Sequence, residues 1–199
     1  MKKEKKTPVH RVPIFDESIL TPIGDEVVRA VCTKPNKEAA FEKYCKEMGI
    51  VCYLPRRRAV KVHNFTQKGI AYNYTNEVLR PMFTSYVFVK MSESGLHTLH
   101  RSNAIARILP LQYDQQQFLD EIKVVRTCET VGFQQELEVH KDVLVGKPFL
   151  ITSGVWQGVR GELVEKDDVS KWTVKIEFCR QYVTTIINPT QFKMIPLDE

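Results

Sequence analysis

The chain has 199 residues, of which 43% are hydrophobic and 27% charged, and its formal net charge is +5. With only 9 Gly and 10 Pro, this composition excludes collagen-like and wholly disordered chains and is typical of one globular domain or two small ones. No window approaches the ~18 uninterrupted apolar residues of a membrane helix, and the basic N-terminus lacks the apolar core of a signal peptide. We therefore expect a cytoplasmic protein.

The N-terminal part of the chain alternates strands with helices. Residues 1–24 are polar, contain three prolines and show no apolar period, so we predict a flexible leader there. In the next segment Asn36 is the predicted helix cap, and Glu38 is expected to face water. Strands are predicted over 27–32, 50–54, 70–78, 86–91 and 105–109, and helices over 36–48, 92–101 and 114–126. This order predicts an α+β domain over 25–126, with a mainly antiparallel sheet that helices cover on one face and leave open to a partner on the other.

The C-terminal part of the chain has a different pattern. Residues 127–142 are acidic and rich in Gln, which predicts a linker. Five short strands with glycines between them are then predicted over 148–152, 159–165, 172–178, 182–187 and 192–195. We interpret residues 143–199 as a small five-stranded antiparallel β-barrel.

Basic residues are concentrated in one stretch. Residues 25–124 carry a net charge of +5, whereas residues 143–199 are neutral. The segment 55–63 contains Arg56, Arg57, Arg58 and Lys61 and no acidic residue. Such a segment could neutralise the phosphates of a nucleic acid, or it could be a solvated strand face, and charge alone leaves both open.

Metal, disulfide and catalytic motifs are not evident. Five cysteines without a CxxC pair fit neither a disulfide framework nor a thiolate zinc site, so we expect buried or half-buried thiols. His97 and His100 form a close pair, but two ligands make a weak metal site, and no cofactor is expected. No phosphate loop, HExxH motif or paired-carboxylate site supports an enzyme.

Two stretches of the sequence, taken together, resemble the NusG family of transcription elongation factors. The first runs from Thr33-Lys34-Pro35 through Gly49-Ile50-Val51 to Arg80-Pro81-Met82-Phe83-Thr84-Ser85-Tyr86-Val87-Phe88-Val89, and it is similar to the family's N-terminal domain. The second, residues 145–164, resembles the KOW motif of the family's C-terminal barrel.

This resemblance implies a factor without catalysis that binds the clamp helices of the RNA polymerase β′ subunit and suppresses pausing. By position, an apolar depression that grips the clamp would use Phe83 and Tyr86, with Val28, Tyr53 and Pro55 nearby. Aromatic anchors suit such a contact because they bury a large area at low entropic cost.

Departures from the family pattern point to a specialised member. Thr84-Ser85 stands where the family often has Pro-Gly, and Val28-Arg29 where it often has Trp-Tyr. The relatives implied are antitermination factors for selected long operons, often for capsule or other surface polysaccharide. His97 and Thr98 are similar to an element that touches the polymerase β gate loop, although an exposed helix face explains them nearly as well.

The resemblance also implies that the N-terminal domain lies beside the non-template DNA strand. The residues that could follow its phosphates are Lys34, Lys37, Arg56, Arg57, Arg58 and Lys61. Tyr72 or Tyr74 could stack on a base, or could pack across a hairpin.

The resemblance also implies a partner for the C-terminal barrel. In the family the KOW barrel binds a small-subunit ribosomal protein or a termination factor, and Phe178 matches the apolar position used for such contacts. It is at least as well interpreted as a residue that points into the barrel.

Two alternatives remain open from the sequence. The chain could be a general NusG-like factor, or a ribosome- or nucleic-acid-associated KOW protein without a role at polymerase. In each case we expect a monomer.

Overall fold

The computed structural model describes residues 11–67, 70–110, 114–133, 137–140, 147–165, 172–178, 181–187 and 193–197. Two α-helices are α1 (Glu38–Glu47) and α2 (Gln115–Gly132), and two 3₁₀ helices span Glu17–Leu20 and Glu93–Ser102. The strands of the N-terminal part are β1 (Glu26–Thr33), β2 (Val51–Tyr53), β3 (Arg56–Gln67), β4 (Ile70–Pro81), β5 (Tyr86–Ser92) and β6 (Ile105–Ile108). Those of the C-terminal part are β7 (Leu137–His140), β8 (Lys147–Ile151), β9 (Arg160–Glu165), β10 (Trp172–Phe178), β11 (Gln181–Ile187) and β12 (Met194–Pro196). The predicted α+β class with antiparallel sheets is confirmed.

A four-stranded antiparallel sheet in the order β2-β5-β1-β6 forms the centre of the N-terminal domain. Side chains alternate across it, so that Val31, Val87 and Val89 lie on one face while Val28 and Phe88 lie on the other. The first face packs against α1 and the second 3₁₀ helix, and the second face packs against α2 and the first 3₁₀ helix. The expectation of a sheet face left open to a partner is therefore wrong, because an apolar layer covers both faces.

The predicted flexible leader is partly packed. Ile19 is 0% exposed and belongs to the core cluster, with Phe15 and Leu20 packed against it. Asp16 caps the first 3₁₀ helix by accepting a hydrogen bond from the Ser18 amide at 3.0 Å. Three apolar side chains within six residues were enough to dock this segment, although they follow no regular period. Residues 1–10 lie outside the described residues.

Helix ends agree with some expectations and differ from others. Asp114 caps α2 as predicted, accepting from the Gln117 amide at 2.8 Å, and Gly49 follows α1 with the positive φ of 68° that ends a helix. Asn36 is not the cap of α1, because it adopts a left-handed backbone with φ 58°. Helix α2 continues to Gly132, past the predicted end at Arg126 and into the predicted linker, because Cys128 and Val131 continue its buried stripe.

The C-terminal strands form a six-stranded antiparallel sheet in the order β12-β8-β9-β10-β11-β7. The five predicted strands are present within a few residues, but a closed barrel is not confirmed. Within the described residues, β7 from the predicted linker pairs with β11 in the register Val139↔Val183. This pairing occupies the edge of β11 that would have to pair with β12 to close the five predicted strands into a barrel, so within the described residues the sheet is open.

Candidate functional site

The residues predicted to bind the clamp lie together but are mostly buried. Val28 and Phe83 are 0% and 1% exposed, Tyr53 and Pro55 are also buried, and Tyr86 is half-buried. Val28, Tyr53 and Phe83 belong to one core cluster, against which Tyr86 packs. In this conformation only Tyr86 offers partial surface to a partner, so the expected open depression is covered.

A buried carboxylate explains why Tyr53 points inward. Glu129 of α2 is 0% exposed and accepts hydrogen bonds from the Tyr53 hydroxyl at 3.0 Å and from the Arg56 amide at 2.8 Å, while Arg126 forms an ion pair with it. Burial raises the pKa of the Glu129 carboxyl, and the three donors offset part of that rise. Burial and the neighbouring Glu129 carboxylate raise the pKa of the Tyr53 hydroxyl well above its usual value. Glu129 therefore joins α2 to the end of β2 and the start of β3.

A second buried carboxylate holds the turn between Phe83 and Tyr86. Glu38, predicted to face water, is buried and accepts a hydrogen bond from the Ser85 amide at 2.8 Å. The Ser85 carbonyl in turn accepts from the Thr33 amide at 2.8 Å. Ser85 has a φ of 67°, which is the left-handed region that glycine adopts freely. This role of Glu38 does not follow from its place on the polar side of the helix pattern, although Thr84-Ser85 in place of Pro-Gly was a signal that this turn needs external support.

Replacing Ser85 with glycine is expected to stabilise the domain by up to about 1 kcal/mol, because the left-handed backbone costs a residue with a Cβ about 1–2 kcal/mol and the greater chain entropy of glycine offsets part of the gain. Urea unfolding monitored by circular dichroism measures the change. Ser85→Ala is the matched control, since it keeps the Cβ and should not stabilise. A loss of stability in Ser85→Gly would contradict this interpretation of the turn.

The basic segment is the beginning of a long two-stranded hairpin, β3–β4, in which Arg57 lies opposite Arg80 and His63 opposite Tyr74. Alternation along the strands divides its cations between two faces. Arg56 and Arg58 lie on one face, where Arg56 pairs with Glu42 and Arg58 pairs with Glu77. The Arg58 guanidinium also donates to the Phe133 carbonyl at 3.0 Å. The guanidinium groups of these two arginines are therefore engaged by partners within the chain, although Arg58 is exposed.

The other face of the hairpin carries Arg57, Lys61 and Arg80. By register, none of the residues within 56–67 and 70–81 that share this face is acidic. Lys61 and Arg80 are exposed. Beside them the rings of His63 and Tyr74 stack at 4.6 Å between centroids and 4° between planes, with Tyr74 half exposed. This face combines cations with an aromatic surface, which is the combination that single-stranded nucleic acid binds.

The remaining predicted contact residues are dispersed. Lys34 and Lys37 are exposed, and Lys34 donates to the Asn103 side chain at 2.7 Å. His97 is exposed on the second 3₁₀ helix and Thr98 is half-buried, donating to the Gly95 carbonyl at 2.7 Å. Phe178 lies at the end of β10, and its side chain, like that of Tyr72, is outside the described residues.

Four cysteines have the expected environments: Cys45 and Cys128 are buried, and Cys32 and Cys52 are half-buried, all as free thiols. Cys179 lies outside the described residues. Burial raises the pKa of Cys128 to about 12, so this thiol stays protonated. Among the helices that the structure describes, none is long and apolar enough to cross a membrane.

Comparison with known proteins gives one family. Residues 29–127 match the model described as "NusG: Transcription termination factor nusG", a range that runs from β1 to α2 and ends before the C-terminal sheet. No curated protein matches the chain. Solved structures that match include one titled "Crystal Structure of MjSpt4:Spt5 complex conformation B", with 12% identity, 87% of this chain and 99% of that chain covered, and a TM-score of 0.27. A TM-score of that size does not show a shared overall arrangement.

Proposed function

We propose, from the match of residues 29–127 to the NusG family model, that the protein is a transcription elongation factor that binds RNA polymerase and has no catalysis of its own. The proposed contact is with the clamp helices of the β′ subunit, through the apolar cluster around Phe83 and Tyr86. The observation that supports it most is the location of Tyr86, which is half-buried at the edge of that cluster. His97, exposed on the second 3₁₀ helix, is a proposed contact to the β gate loop, with Thr98 beside it.

The test is binding of purified host polymerase by the wild type and by Tyr86→Ala. We expect Tyr86→Ala to weaken binding at least tenfold, because hot-spot residues, among which tyrosine is enriched, cost about 2 kcal/mol or more when truncated. Tyr44→Ala is the matched control, since Tyr44 is half-buried on the opposite side of the sheet. Equal reductions in both variants would contradict the proposed contact. Phe83→Ala is unsuitable, because truncating a core phenylalanine costs about 3–5 kcal/mol of folding stability.

Nucleic-acid binding is the second part of the proposal. A strand of the transcription bubble would follow the face of the β3–β4 hairpin that carries Arg57, Lys61 and Arg80, with the half-exposed Tyr74 ring, which stacks on His63, as the proposed contact for a base. Lys34 and Lys37 would extend the contact at the start of α1. Arg56 and Arg58 are assigned instead to internal ion pairs.

The finer role that we propose is antitermination on selected long operons, such as those for surface polysaccharide. It is supported by the departures from the family pattern, of which serine in place of glycine at the left-handed position 85 is the clearest. Mapping the protein along the chromosome tests this role. Occupancy confined to a few long operons is the expected result, whereas occupancy of all transcribed genes would indicate a general NusG-like factor.

For the C-terminal sheet we propose a KOW-type adaptor that binds a small-subunit ribosomal protein or a termination factor, with Phe178 as a contact residue. The sequence of residues 145–164 supports it, and Trp156, at 1% exposure, anchors the loop between β8 and β9 in the core. Neutral charge over 143–199 favours a protein partner over nucleic acid.

A further inference from the structure

We propose that residues 15–20, termed the N-terminal strap, cover the apolar surface through which the domain binds polymerase, and that the strap must leave before binding. This inference rests on the proposed function, and it adds a way in which binding to polymerase is regulated. The strap comprises Phe15, Asp16, Glu17, Ser18, Ile19 and Leu20, and it precedes the range that matches the NusG family, 29–127.

The strap contacts the predicted binding residues directly. The Phe15 ring packs edge-on against the Tyr53 ring with 4.8 Å between centroids. On its other side the Arg126 guanidinium lies 5.1 Å from the centre of the Phe15 ring, a cation–π contact that joins the strap to α2. Phe15 therefore sits between β2 and α2, above the residue predicted to bind the clamp.

Ile19 is the main apolar anchor of the strap. It is fully buried in the same cluster as Val28, Tyr53 and Phe83, while Leu20 packs on that cluster from its edge. Burying an isoleucine side chain favours the docked strap through the hydrophobic effect. By contrast Ile14, just before the strap, is 100% exposed.

The attachment of the strap is suited to release. Its only regular structure is a single turn of 3₁₀ helix, and within the described residues it pairs with no strand. The segment that follows it, residues 21–23, is neither helix nor strand, with Thr21 and Ile23 exposed. Short 3₁₀ turns add little stability of their own, so the few apolar contacts of Phe15, Ile19 and Leu20 set the balance between the covered and open states.

The experiment inserts a protease site between Thr21 and Pro22 of the full-length protein, so that the chain folds intact and is cleaved afterwards. Binding to a purified fragment of the host β′ clamp helices is measured before cleavage and after removal of the released peptide by gel filtration. If the strap covers the site nine-tenths of the time, cleavage should tighten binding about tenfold. Adding a synthetic peptide of residues 11–21 should reverse the gain, and the same peptide with Phe15→Ser and Ile19→Ser should not.

A second variant tests the inference without cleavage. Phe15→Ser in the intact chain removes a half-buried ring and should tighten clamp binding several-fold, whereas Ile14→Ser should leave it unchanged. If the uncleaved protein binds and neither cleavage nor Phe15→Ser tightens binding, the strap is only a structural element and the inference is wrong. If no form binds the clamp fragment, the proposed function fails and the inference fails with it.

Discussion

Replacing Glu129 with alanine is expected to lower the free energy of unfolding by about 3–5 kcal/mol, the range for removing one partner of a buried ion pair. The carboxylate is fully buried and accepts hydrogen bonds from the Tyr53 hydroxyl, the Arg56 amide and Arg126. In the alanine variant the Tyr53 and Arg56 donors lose their acceptor inside the protein, which is the costly case for a hydrogen bond. Urea unfolding followed by circular dichroism measures the loss.

Two controls make this result specific. Asp120→Ala removes an exposed carboxylate from the same helix, paired with Lys123, and should change stability by less than about 0.5 kcal/mol. Glu129→Gln keeps an acceptor but loses the charge, and should fall between the two. A loss below about 1 kcal/mol in Glu129→Ala would contradict the assigned network, since a single neutral hydrogen bond accounts for that much.

The pH dependence of stability provides an independent check on Glu129. Its pKa is raised in the folded protein, so the folded state holds its proton more tightly than the unfolded state. The corresponding contribution to stability is fully present below the unfolded pKa of about 4.3 and is lost as the pH rises through the folded value. The wild type should therefore lose stability relative to Glu129→Gln over this interval.

Removing Lys61 and Arg80 together is the second large effect that we expect, this time on nucleic-acid binding. Both cations are exposed on the acid-free face of the β3–β4 hairpin. When a protein neutralises one phosphate fewer on a single strand, the slope of log affinity against log salt decreases by about 0.7. The double alanine variant should therefore bind single-stranded DNA on the order of tenfold more weakly at low salt, with a slope smaller by about 1 to 2. Fluorescence anisotropy across a salt series measures both quantities.

The matched control is Lys43→Ala with Lys123→Ala, which removes the same charge from the exposed sides of α1 and α2. It should leave the slope unchanged. Arg58→Ala, on the opposite hairpin face and paired with Glu77, should weaken binding less than the Lys61 and Arg80 variant. Equal effects from the two double variants, with about half that effect on log affinity from Arg58→Ala, would mean that net charge, and not this face, determines the affinity.

The strands and helices of the N-terminal domain could be predicted from the sequence because their apolar residues recur at regular spacing. Phe41 and Cys45, four residues apart, are both buried on α1, and the run from Tyr86 to Ser92 is a central strand. The strap could not be predicted, because Phe15, Ile19 and Leu20 follow no period and the partners of the Phe15 ring, Tyr53 and Arg126, are more than thirty residues away.

The proximity of the residues predicted to bind the clamp could be inferred from the sequence, but their burial could not. Val28, Tyr53, Phe83 and Tyr86 do come together, yet their burial depends on the strap and on α2. The two buried carboxylates show the same limit. Glutamate is usually a surface residue, so nothing in the sequence marks Glu38 or Glu129 as buried. Their buried carboxylates are satisfied by distant partners: the Ser85 amide, 47 residues from Glu38, and the Arg56 amide, 73 residues from Glu129. The division of the basic segment between two hairpin faces required the register of β3 and β4.

The most direct test of the central claim is single-round transcription by purified host polymerase on a template with a strong pause site, with the pause half-life as the readout. Wild-type protein is expected to shorten the pause, Tyr86→Ala to lose most of this effect, and Tyr44→Ala to retain it. An unchanged pause half-life with the wild-type protein, together with no detectable complex with the β′ clamp helices, would contradict the proposal that this domain acts on polymerase.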